Sequence, residues 1–345
     1  MTARPVEMNL PDGAGGFSEY HPKTDLGQIV DIVRQPNTAY TLGDVRYSDL
    51  LVIPKKFVCV KAGTTGIGKL TGANLAEGAI ITDGGVVWMV DSLADGIYTA
   101  EHKNGIVRGA DITDYWNSGY MSANIQAGKF VGMYLDDRIK KTATIDGVTY
   151  SDKNYLIGDF DYHLHCGDTE TTNHHILMVS EECLGTARMN SSNVTTGGYM
   201  GSEMWTTTIP KYAAGIQAAF GSEHILSHRE LLTDQVNTSA ASMAGAGYTG
   251  CSNHWAWASV LVNIMNEAMT YGTPAFSSSF YDIGDCNMQI ALFRHCKARS
   301  FTRAQWNWLR AVAYSPNFAI AYRVGYSDYY SASYAGGVRL YFLLR

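Results

Sequence analysis

Apolar residues recur at helical spacing in one segment past the middle of the chain. Pro210 lies in the expected first turn and Gly221 follows the last apolar position, and both are typical of helix ends. The pattern predicts a helix from residue 209 to residue 220. The apolar positions three or four residues apart are Ile209, Tyr212, Ala213, Ile216 and Phe220.

A second stripe with the same spacing follows further along the chain. Gly272 comes directly after it, where a glycine commonly ends a helix. We therefore expect a second helix that closes at this glycine. Its apolar positions are Val260, Leu261, Ile264, Met265, Ala268 and Met269.

Short runs rich in β-branched and aromatic residues predict strands elsewhere. Two of them, residues 50–60 and 78–90, are bounded by Gly, Asp and Asn and indicate a small β module. Two more, residues 155–164 and 338–344, lie in a larger region that also contains both helices. The expected fold class is α+β, with an attachment segment at 1–35, a β-rich module at 36–105 and a larger domain at 106–345.

Composition narrows the range of partners. The 345 residues contain 26 Lys and Arg against 32 Asp and Glu, a net charge of −6, which argues against nucleic acid or an anionic membrane as the main partner. Charged residues are only 17% of the chain, while there are 35 Gly and 22 Tyr. Low charge with abundant Gly and Tyr suits a loop-rich β protein that acts by contact.

No segment resembles an export signal or a membrane span. The first sixteen residues lack an apolar core, and no apolar run approaches the roughly 18 residues that a span needs. We therefore expect synthesis in the cytoplasm and no membrane insertion. The dispersed cysteines, with no CxxC pair, are expected to be reduced and mostly buried: Cys59, Cys166, Cys183, Cys251, Cys286 and Cys296.

The segment Gly63–Lys69 matches the glycine-rich phosphate loop G-x-x-x-x-G-K only in part. Leu70 stands where Ser or Thr would bind Mg²⁺, and Thr-Gly-Ala-Asn follows where a helix should begin. A turn between strands is the favoured interpretation.

The densest group of possible metal ligands runs from His163 to His175 and includes His165, Cys166 and His174. His163 and His165 alternate on one face of a predicted strand, but nearby aspartates offer the histidines ordinary hydrogen bonds, and no C-x-x-C or H-E-x-x-H spacing supports a metal. Whether the group binds a structural metal stays open, and no metal or cofactor is predicted.

The C-terminal segment, residues 311–335, has an unusual composition. It contains six tyrosines among Ser, Ala, Asn and Asp, as antibody binding loops do. It contains no Lys, Glu, Gln, Met or Trp, and these five amino acids cannot be encoded by codons that end in a pyrimidine. The composition is therefore that of a binding surface or, equally, of a hairpin-rich β surface, and the missing amino acids indicate a stretch with biased codons.

The pattern FTRAQWNWLR at 301–310, followed by this tyrosine-rich stretch and by Gly337-Val338-Arg339, resembles the variable proteins of diversity-generating retroelements. Residues 198–205 and 155–161 are also similar to the scaffold of these proteins. The resemblance covers about residues 106–345. It implies a C-type lectin-like fold of the formylglycine-generating-enzyme branch and a variable region at about 307–335, where adenines are mutated.

The stretch 36–88, with Gly43-Asp44, Gly63 to Gly66 and Asp83-Gly84, is similar to small β modules of phage tail fibres. Together the two resemblances imply a virion receptor-binding protein without enzymatic activity. It would be a homotrimer attached to other tail proteins by its N-terminal module, and it would bind a host cell-surface protein or glycan.

The resemblance divides the C-terminal residues into contact and scaffold positions. Scaffold positions are expected to be Trp306, Trp308, Leu309, Arg310, Val338 and Arg339. Contact positions are expected to be Asn307, Tyr314, Asn317, Tyr322, Arg323, Tyr326, Asp328, Tyr329, Tyr330 and Tyr334.

Two alternatives remain at this point. One is a formylglycine-generating-like or other enzyme that uses Cys251, Cys286 or the His163–His175 group, although Cys286 and Cys296 do not sit in that family's cysteine motif. The other is a structural tail adhesin with a fixed surface. The calcium-binding triplets of animal C-type lectins do not occur, so a calcium-dependent sugar site is not implied.

Overall fold

The computed structural model describes residues 8–11, 17–20, 33–47, 56–68, 70, 76–91, 98–237, 252–276 and 288–345. The chain divides into two compact units, Met1–Gly96 and Ile97–Arg345. The sequence predicts the domain boundary at residue 105, nine residues beyond Gly96, where the first unit ends. The described part is rich in strands and contains few helices, in agreement with the α+β class.

The first unit is built from short antiparallel strands. The four-stranded sheet has the order β4-β5-β8-β7, while β3 pairs with β6 and β1 with β2. The residues predicted as one strand at 78–90 form β7 and β8, because Gly84 and Gly85 make a turn between them. The strands are β1 (Met8–Pro11), β2 (Phe17–Tyr20), β3 (Ala39–Tyr40), β4 (Val45–Arg46), β5 (Lys56–Lys61), β6 (Gly63–Thr64), β7 (Ile80–Asp83) and β8 (Val86–Asp91).

A core centred on Trp88 holds the first unit together. The Tyr40 ring meets the Trp88 indole edge-on at 5.0 Å, and Phe57 and Val86 pack in the same cluster. Beside it, Arg34 donates from Nε and Nη2 to the Asp83 carboxylate at 2.8 and 2.6 Å. The Trp88 indole N–H donates to the same carboxylate at 3.1 Å, so this buried ion pair is hydrogen-bonded into the core.

The second unit opens with three short helices and a long antiparallel hairpin. The bounds are α1 (Ala100–Lys103), α2 (Thr113–Asn117), α3 (Tyr120–Gln126), β9 (Arg138–Ile145), β10 (Val148–Phe160), β11 (Ile176–Ser180) and β12 (Thr186–Ala187). A π turn at Met204–Thr208 then leads into α4 (Ile209–Phe220). This helix has the predicted bounds, with Pro210 in its first turn and Gly221 just past its end.

The rest of the unit is mostly strands. The bounds are β13 (Ile225–Leu226), β14 (His228–Val236), β15 (Ser252–Val260), β16 (Val262–Ile264), α5 (Glu267–Tyr271), α6 (Ala291–His295), β17 (Asn307–Tyr314), β18 (Asn317–Ala321), β19 (Ser327–Ser331), β20 (Gly336–Gly337) and β21 (Leu340–Leu344).

Two sheets organise this unit. The first has the order β13-β21-β11-β10-β9, with β16 also paired to β21, and curls into a half-barrel. The second has the order β12-β20-β17-β18-β19, and β14 and β15 form a separate hairpin. The C-terminal strand β21 lies inside the first sheet and is fully buried, which confirms the strand predicted there.

The second predicted helix is wrong over most of its length. Val260 is the last residue of β15, and β16 pairs with β21 from Val262 opposite Phe342 to Ile264 opposite Leu340. Val and Ile prefer strands, and this pairing outweighs the helical spacing. Only α5 is helical: it begins after Asn266, whose side chain accepts from the Met269 N–H at 2.7 Å, and it ends at Gly272.

Candidate ligand-binding surface

The predicted variable region folds as three antiparallel strands. Every residue of β18 is buried, β17 is buried except at Tyr314, and β19 is half-buried throughout. Strand β19 is the last strand of its sheet, so it has one outer edge. Tyr329 pairs with Ala319 and Tyr330 with Phe318, and these neighbouring tyrosines point to opposite faces.

A buried polar network holds β17 against β14 and β21. Arg310 of β17 forms an ion pair with Glu230 of β14 and donates at 2.9 Å to the Tyr341 hydroxyl of β21. His228 Nε2 donates to Glu230 at 2.8 Å. Burial acts to raise the pKa of Glu230, but Arg310 and His228 outweigh it and hold that pKa far below its usual value. The network therefore holds β17, the strand that ends at Tyr314, in place.

Sequence reasoning assigned Arg310 to the scaffold but missed its partner Glu230. A signal was present, because Arg310 interrupts the apolar run Trp308-Leu309-Arg310-Ala311-Val312. A charged residue inside a buried strand requires an opposite charge. The sequence could not say which of the chain's acids supplies it.

On one face of the sheet, Tyr314 and Tyr329 form an aromatic pair. Their ring centroids lie 5.0 Å apart in an edge-to-face arrangement, and Phe276 lies 5.3 Å from the Tyr329 ring. The hydrogen bond to Tyr329 is the main reason that the pKa of Tyr314 rises to about 12. The Tyr314 hydroxyl is therefore neutral at physiological pH and can donate or accept hydrogen bonds.

On the other face, Tyr330 stacks on Trp306. The two rings are 4.8 Å apart and nearly parallel, at 9°, and Tyr334 packs against Tyr330 at 5.5 Å. The backbone of Gly336 makes room for the indole, since a Cβ there would meet Trp306 at 2.0 Å. Trp306 is thus a half-buried support for this tyrosine.

The turn between β18 and β19 carries the most exposed part of the segment. Tyr322 and Tyr326 stack at 4.9 Å, with the guanidinium of Arg323 5.8 Å from the Tyr322 ring. Gly325, at φ +89°, closes the turn and donates to the Tyr322 carbonyl at 2.8 Å. Tyr326 is 49% exposed and Val324 65%, so the turn projects from the sheet.

Eight of the ten predicted contact residues lie at least partly on the outside, and together we call them the tyrosine surface. Asn307 is fully buried in β17, and Asn317 is 6% exposed and accepts from the Ser331 hydroxyl at 3.1 Å. Their prediction as contact residues is wrong, because both side chains face the interior of the sheet. The tyrosine surface consists of Tyr314, Tyr322, Arg323, Tyr326, Asp328, Tyr329, Tyr330 and Tyr334.

The histidines from 163 to 175 do not converge on one point. His165 lies at the surface beside Glu170, and His174 binds Asp161 at 2.8 Å. His175 Nε2 accepts from the His163 backbone N–H, and its Nδ1 donates to the Asn173 carbonyl. Burial lowers the pKa of His175 to about 4, so it is a neutral structural residue.

His163 instead stacks on His228, with ring centroids 4.4 Å apart. Ligand atoms of His163, His228 and Glu230 lie within 4.8 Å of one another, and all three residues are buried. However, Arg310 already neutralises Glu230. A cation in this position would lie beside a buried guanidinium without compensation, which is unfavourable.

The glycine-rich loop at 63–69 is a connection between strands. The Gly66 N–H donates to Asp83 at 3.0 Å, and the Gly66 carbonyl accepts from Arg34 at 2.5 Å. In a phosphate loop these amide hydrogens would face the ligand. Gly63 lies so close to β8 that a Cβ would meet the Gly85 carbonyl oxygen at 2.4 Å. Lys69 lies outside the described residues.

The cysteines differ from the expectation at one position. Cys59, Cys183 and Cys296 are free, but Cys166 is disulfide-bonded. Cysteines far apart in sequence are brought together only by tertiary structure, so their spacing could not reveal this bond. The enzyme candidates Cys251 and Cys286 lie outside the described residues.

One apolar pocket of about 610 Å³ lies at the start of α4, between Trp205, Pro210 and Leu261. Its lining within the described residues contains no carboxylate, imidazole or thiol. It therefore lacks the converging acid and base groups that an active site needs.

Comparisons with protein families, with curated proteins and with solved structures find no match to this chain. In the part of the chain that the structure describes, no helix is long and apolar enough to cross a membrane.

Proposed function

We propose that the chain is a phage tail receptor-binding protein whose tyrosine surface binds a ligand on the host cell. One observation carries this proposal: six tyrosines, an arginine and an aspartate cluster on the edge strand β19, its turns and the end of β17, while β17 and β18 are otherwise buried. Tyrosine offers a large, stiff and amphipathic contact area at low entropic cost.

The same arrangement suits a surface that varies between copies of the gene. The rings of the tyrosine surface mostly contact one another and solvent, while backbone pairing and the Arg310 network hold β17 and β18. Substitutions on the tyrosine surface thus change what is displayed but remove little from the core. Asn307 and Asn317 do not belong to the tyrosine surface, because both are buried.

We assign the second unit to the C-type lectin-like fold as part of this proposal. Its support is the sequence pattern at 301–310 and 337–339, together with a C-terminal strand that lies inside a curled sheet next to the variable strands. The first unit would attach the protein to other tail proteins in the virion. A homotrimer would present three tyrosine surfaces, so that weak individual sites bind with high avidity.

The test compares the wild-type protein with a variant in which Tyr322, Tyr326, Tyr330 and Tyr334 are all replaced by Ser. Binding to cells and thermal stability are measured for both proteins. Fluorescently labelled wild-type protein is added to a mixed bacterial population, and labelled cells are sorted and identified by sequencing. We expect wild-type protein to label a defined subset of cells and the variant to label none. Its melting temperature should fall by no more than about 5 °C, which corresponds to roughly 1 to 2 kcal/mol in a unit of this size.

The control variant carries Val107→Ser and Val148→Ser, two exposed apolar residues outside the tyrosine surface. It should label the same cells as the wild type. Equal labelling by the tyrosine variant would refute the proposal, and so would its unfolding. Amplicon sequencing of the gene's 3′ end then separates a diversified surface, with changes clustered in codons 307–335, from a fixed adhesin with a uniform end.

A further inference from the structure

A second pocket, of about 340 Å³, lies next to the tyrosine surface. Its walls include Phe301, Arg299, Arg303, Arg339, Glu181 and Glu182. Phe301 connects it to the turn at 322–326, since a Cβ on Gly325 would meet the Phe301 ring at 2.7 Å. The pocket and the stacked pair Tyr322–Tyr326 therefore lie on either side of one phenylalanine.

Both glutamates that line this pocket already form ion pairs within the protein. Glu181 forms an ion pair with Arg299 and accepts from the Asn154 amide at 2.7 Å. Glu182 binds Lys153 at 3.0 Å. Arg299 itself also binds Asp136, at 2.8 Å. Arg299 and Lys153 thus serve three carboxylates between them, so one of the two remaining arginines of the pocket is a surplus positive charge.

Among the residues that the structure describes, Arg339 is a buried cation without a carboxylate in ion-pair contact. It is 1% exposed, and it donates to the Ser180 carbonyl at 3.0 Å and the Arg299 carbonyl at 2.7 Å. Its guanidinium also lies 5.2 Å from the Phe293 ring. Its Nη1 has no hydrogen-bond partner, and no carboxylate within the described ranges lies within 4.0 Å. Burial, helped by the nearby Arg299 cation, lowers the pKa of Arg339 to about 10.

Arg303 adds a second cation at the pocket's exposed rim. Three arginines face two glutamates there, so the pocket has a surplus of one positive charge. A singly charged, planar carboxylate matches this surplus and the geometry of a guanidinium. A doubly charged phosphate would bring excess negative charge next to Glu181 and Glu182.

We propose that this pocket binds the carboxylate of an acidic sugar, a hexuronic or sialic acid, in the host glycan that the tyrosine surface recognises. The inference rests on the proposed function. The carboxylate lies in the pocket near Arg303 and Arg339, and the next sugar ring packs its C–H face on the Tyr322–Tyr326 pair. The aromatic rings bury apolar C–H groups while their hydroxyls bond to sugar hydroxyls.

The test measures binding of trigalacturonate and N-acetylneuraminic acid to the full-length protein by titration calorimetry, with maltotriose and inorganic phosphate as comparison ligands. We expect one of the two acidic sugars to bind and the two comparison ligands not to. Arg303→Ser should weaken that binding about tenfold or more, because a charge-assisted hydrogen bond is lost. Arg188→Ser, which removes an exposed arginine outside the pocket, should leave it unchanged.

Arg339→Gln should abolish binding. Where this buried substitution prevents folding, Arg303→Ser and its control decide alone. Equal binding of maltotriose or phosphate, or unchanged binding by Arg303→Ser, overturns the inference, and so does the absence of binding by both acidic sugars. If cells are still labelled through the tyrosine surface in that case, only the inference fails. If acidic sugars bind but the tyrosine variant labels cells normally, the proposed function fails instead.

Discussion

Asp159 is a carboxyl group almost completely removed from water. It lies at the end of β10 and accepts the backbone N–H of Ala291, the first residue of α6, at 2.8 Å. Burial raises its pKa to about 7, because the charged form loses its hydration. In the unfolded chain the same carboxyl group titrates near 4. Its protonation therefore stabilises the fold at low pH, and this contribution is lost as pH rises through 7.

We expect Asp159→Asn to remove this pH dependence. Asparagine stays neutral and keeps an oxygen that can accept from Ala291, so its stability relative to the wild type should increase with pH. The difference in unfolding free energy between variant and wild type should shift by about 3 kcal/mol from pH 5 to pH 9. Urea denaturation at several pH values measures it.

The unfolding free energies of variant and wild type are subtracted because His163 and His175 change the stability with pH in the direction opposite to Asp159. Burial lowers both of their pKa values, so they destabilise the fold as pH falls below about 6.5, equally in both proteins. Asp111→Asn is the control. Burial acts to raise the pKa of Asp111, but hydrogen bonds from Lys140 and Thr113 outweigh it and lower that pKa, so the group stays charged from pH 5 to 9. A constant difference for Asp159→Asn would show that Asp159 is not buried as described.

At the scale of elements, local signals predicted α4 well and failed at residues 260–264. Around α4, the apolar spacing, Pro210 and Gly221 all agree. Around 260–264 the apolar spacing fits a helix, but Val262–Ile264 pair with β21, some eighty positions away, and Val260 pairs with His228 of β14. A short apolar run does not distinguish a buried strand from a helix, because only the tertiary partner decides.

The candidate site, like the secondary structure, was predictable from the sequence only in part. Composition identified the tyrosines of 314–334, since aromatic residues among small polar ones are typical of binding surfaces. It could not show that Asn307 and Asn317, although polar, have side chains buried in the sheet. Nor could it find Arg339 as an unpaired cation, because that property depends on every neighbour of its guanidinium.

Helix α4 provides an element-scale prediction through Gly215, which faces β9. A Cβ there would meet the Thr144 carbonyl oxygen and Ile145 Cγ1, each at 2.7 Å. Alanine favours helices over glycine by about 1 kcal/mol. Because this close approach cannot absorb a methyl group, we expect Gly215→Ala to destabilise the protein by about 1–3 kcal/mol instead. Urea denaturation at pH 7 measures the change.

The comparison is with Ala214→Gly, one position earlier and exposed to solvent. That change affects helix propensity alone and should cost about 1 kcal/mol. The two substitutions thus exchange the same residues in opposite directions, yet both are expected to destabilise. Unfolding of Gly215→Ala at a higher urea concentration than the wild type would mean that α4 does not lie against β9 in this way.

At the scale of the whole molecule, each of the two units encloses its own core and its own buried ion pair. In the first unit Arg34 binds Asp83, and in the second Arg108 binds Asp137, which also accepts the Ala110 N–H at 2.9 Å. Breaking such a pair leaves a buried carboxylate without its cation, at a cost of about 3–5 kcal/mol. If the two cores unfold independently, each substitution should destabilise only the unit that contains it.

Hydrogen exchange followed by mass spectrometry tests this separation in the full-length protein. We expect Arg34→Gln to speed exchange in peptides from 56–68 and 76–91 and to leave 138–160 and 307–345 unchanged. Arg108→Gln should do the reverse. Faster exchange throughout the chain in either variant would contradict two independent cores. The expected result would also explain how a surface in the second unit can change while the first unit, and whatever attachment it makes, stays intact.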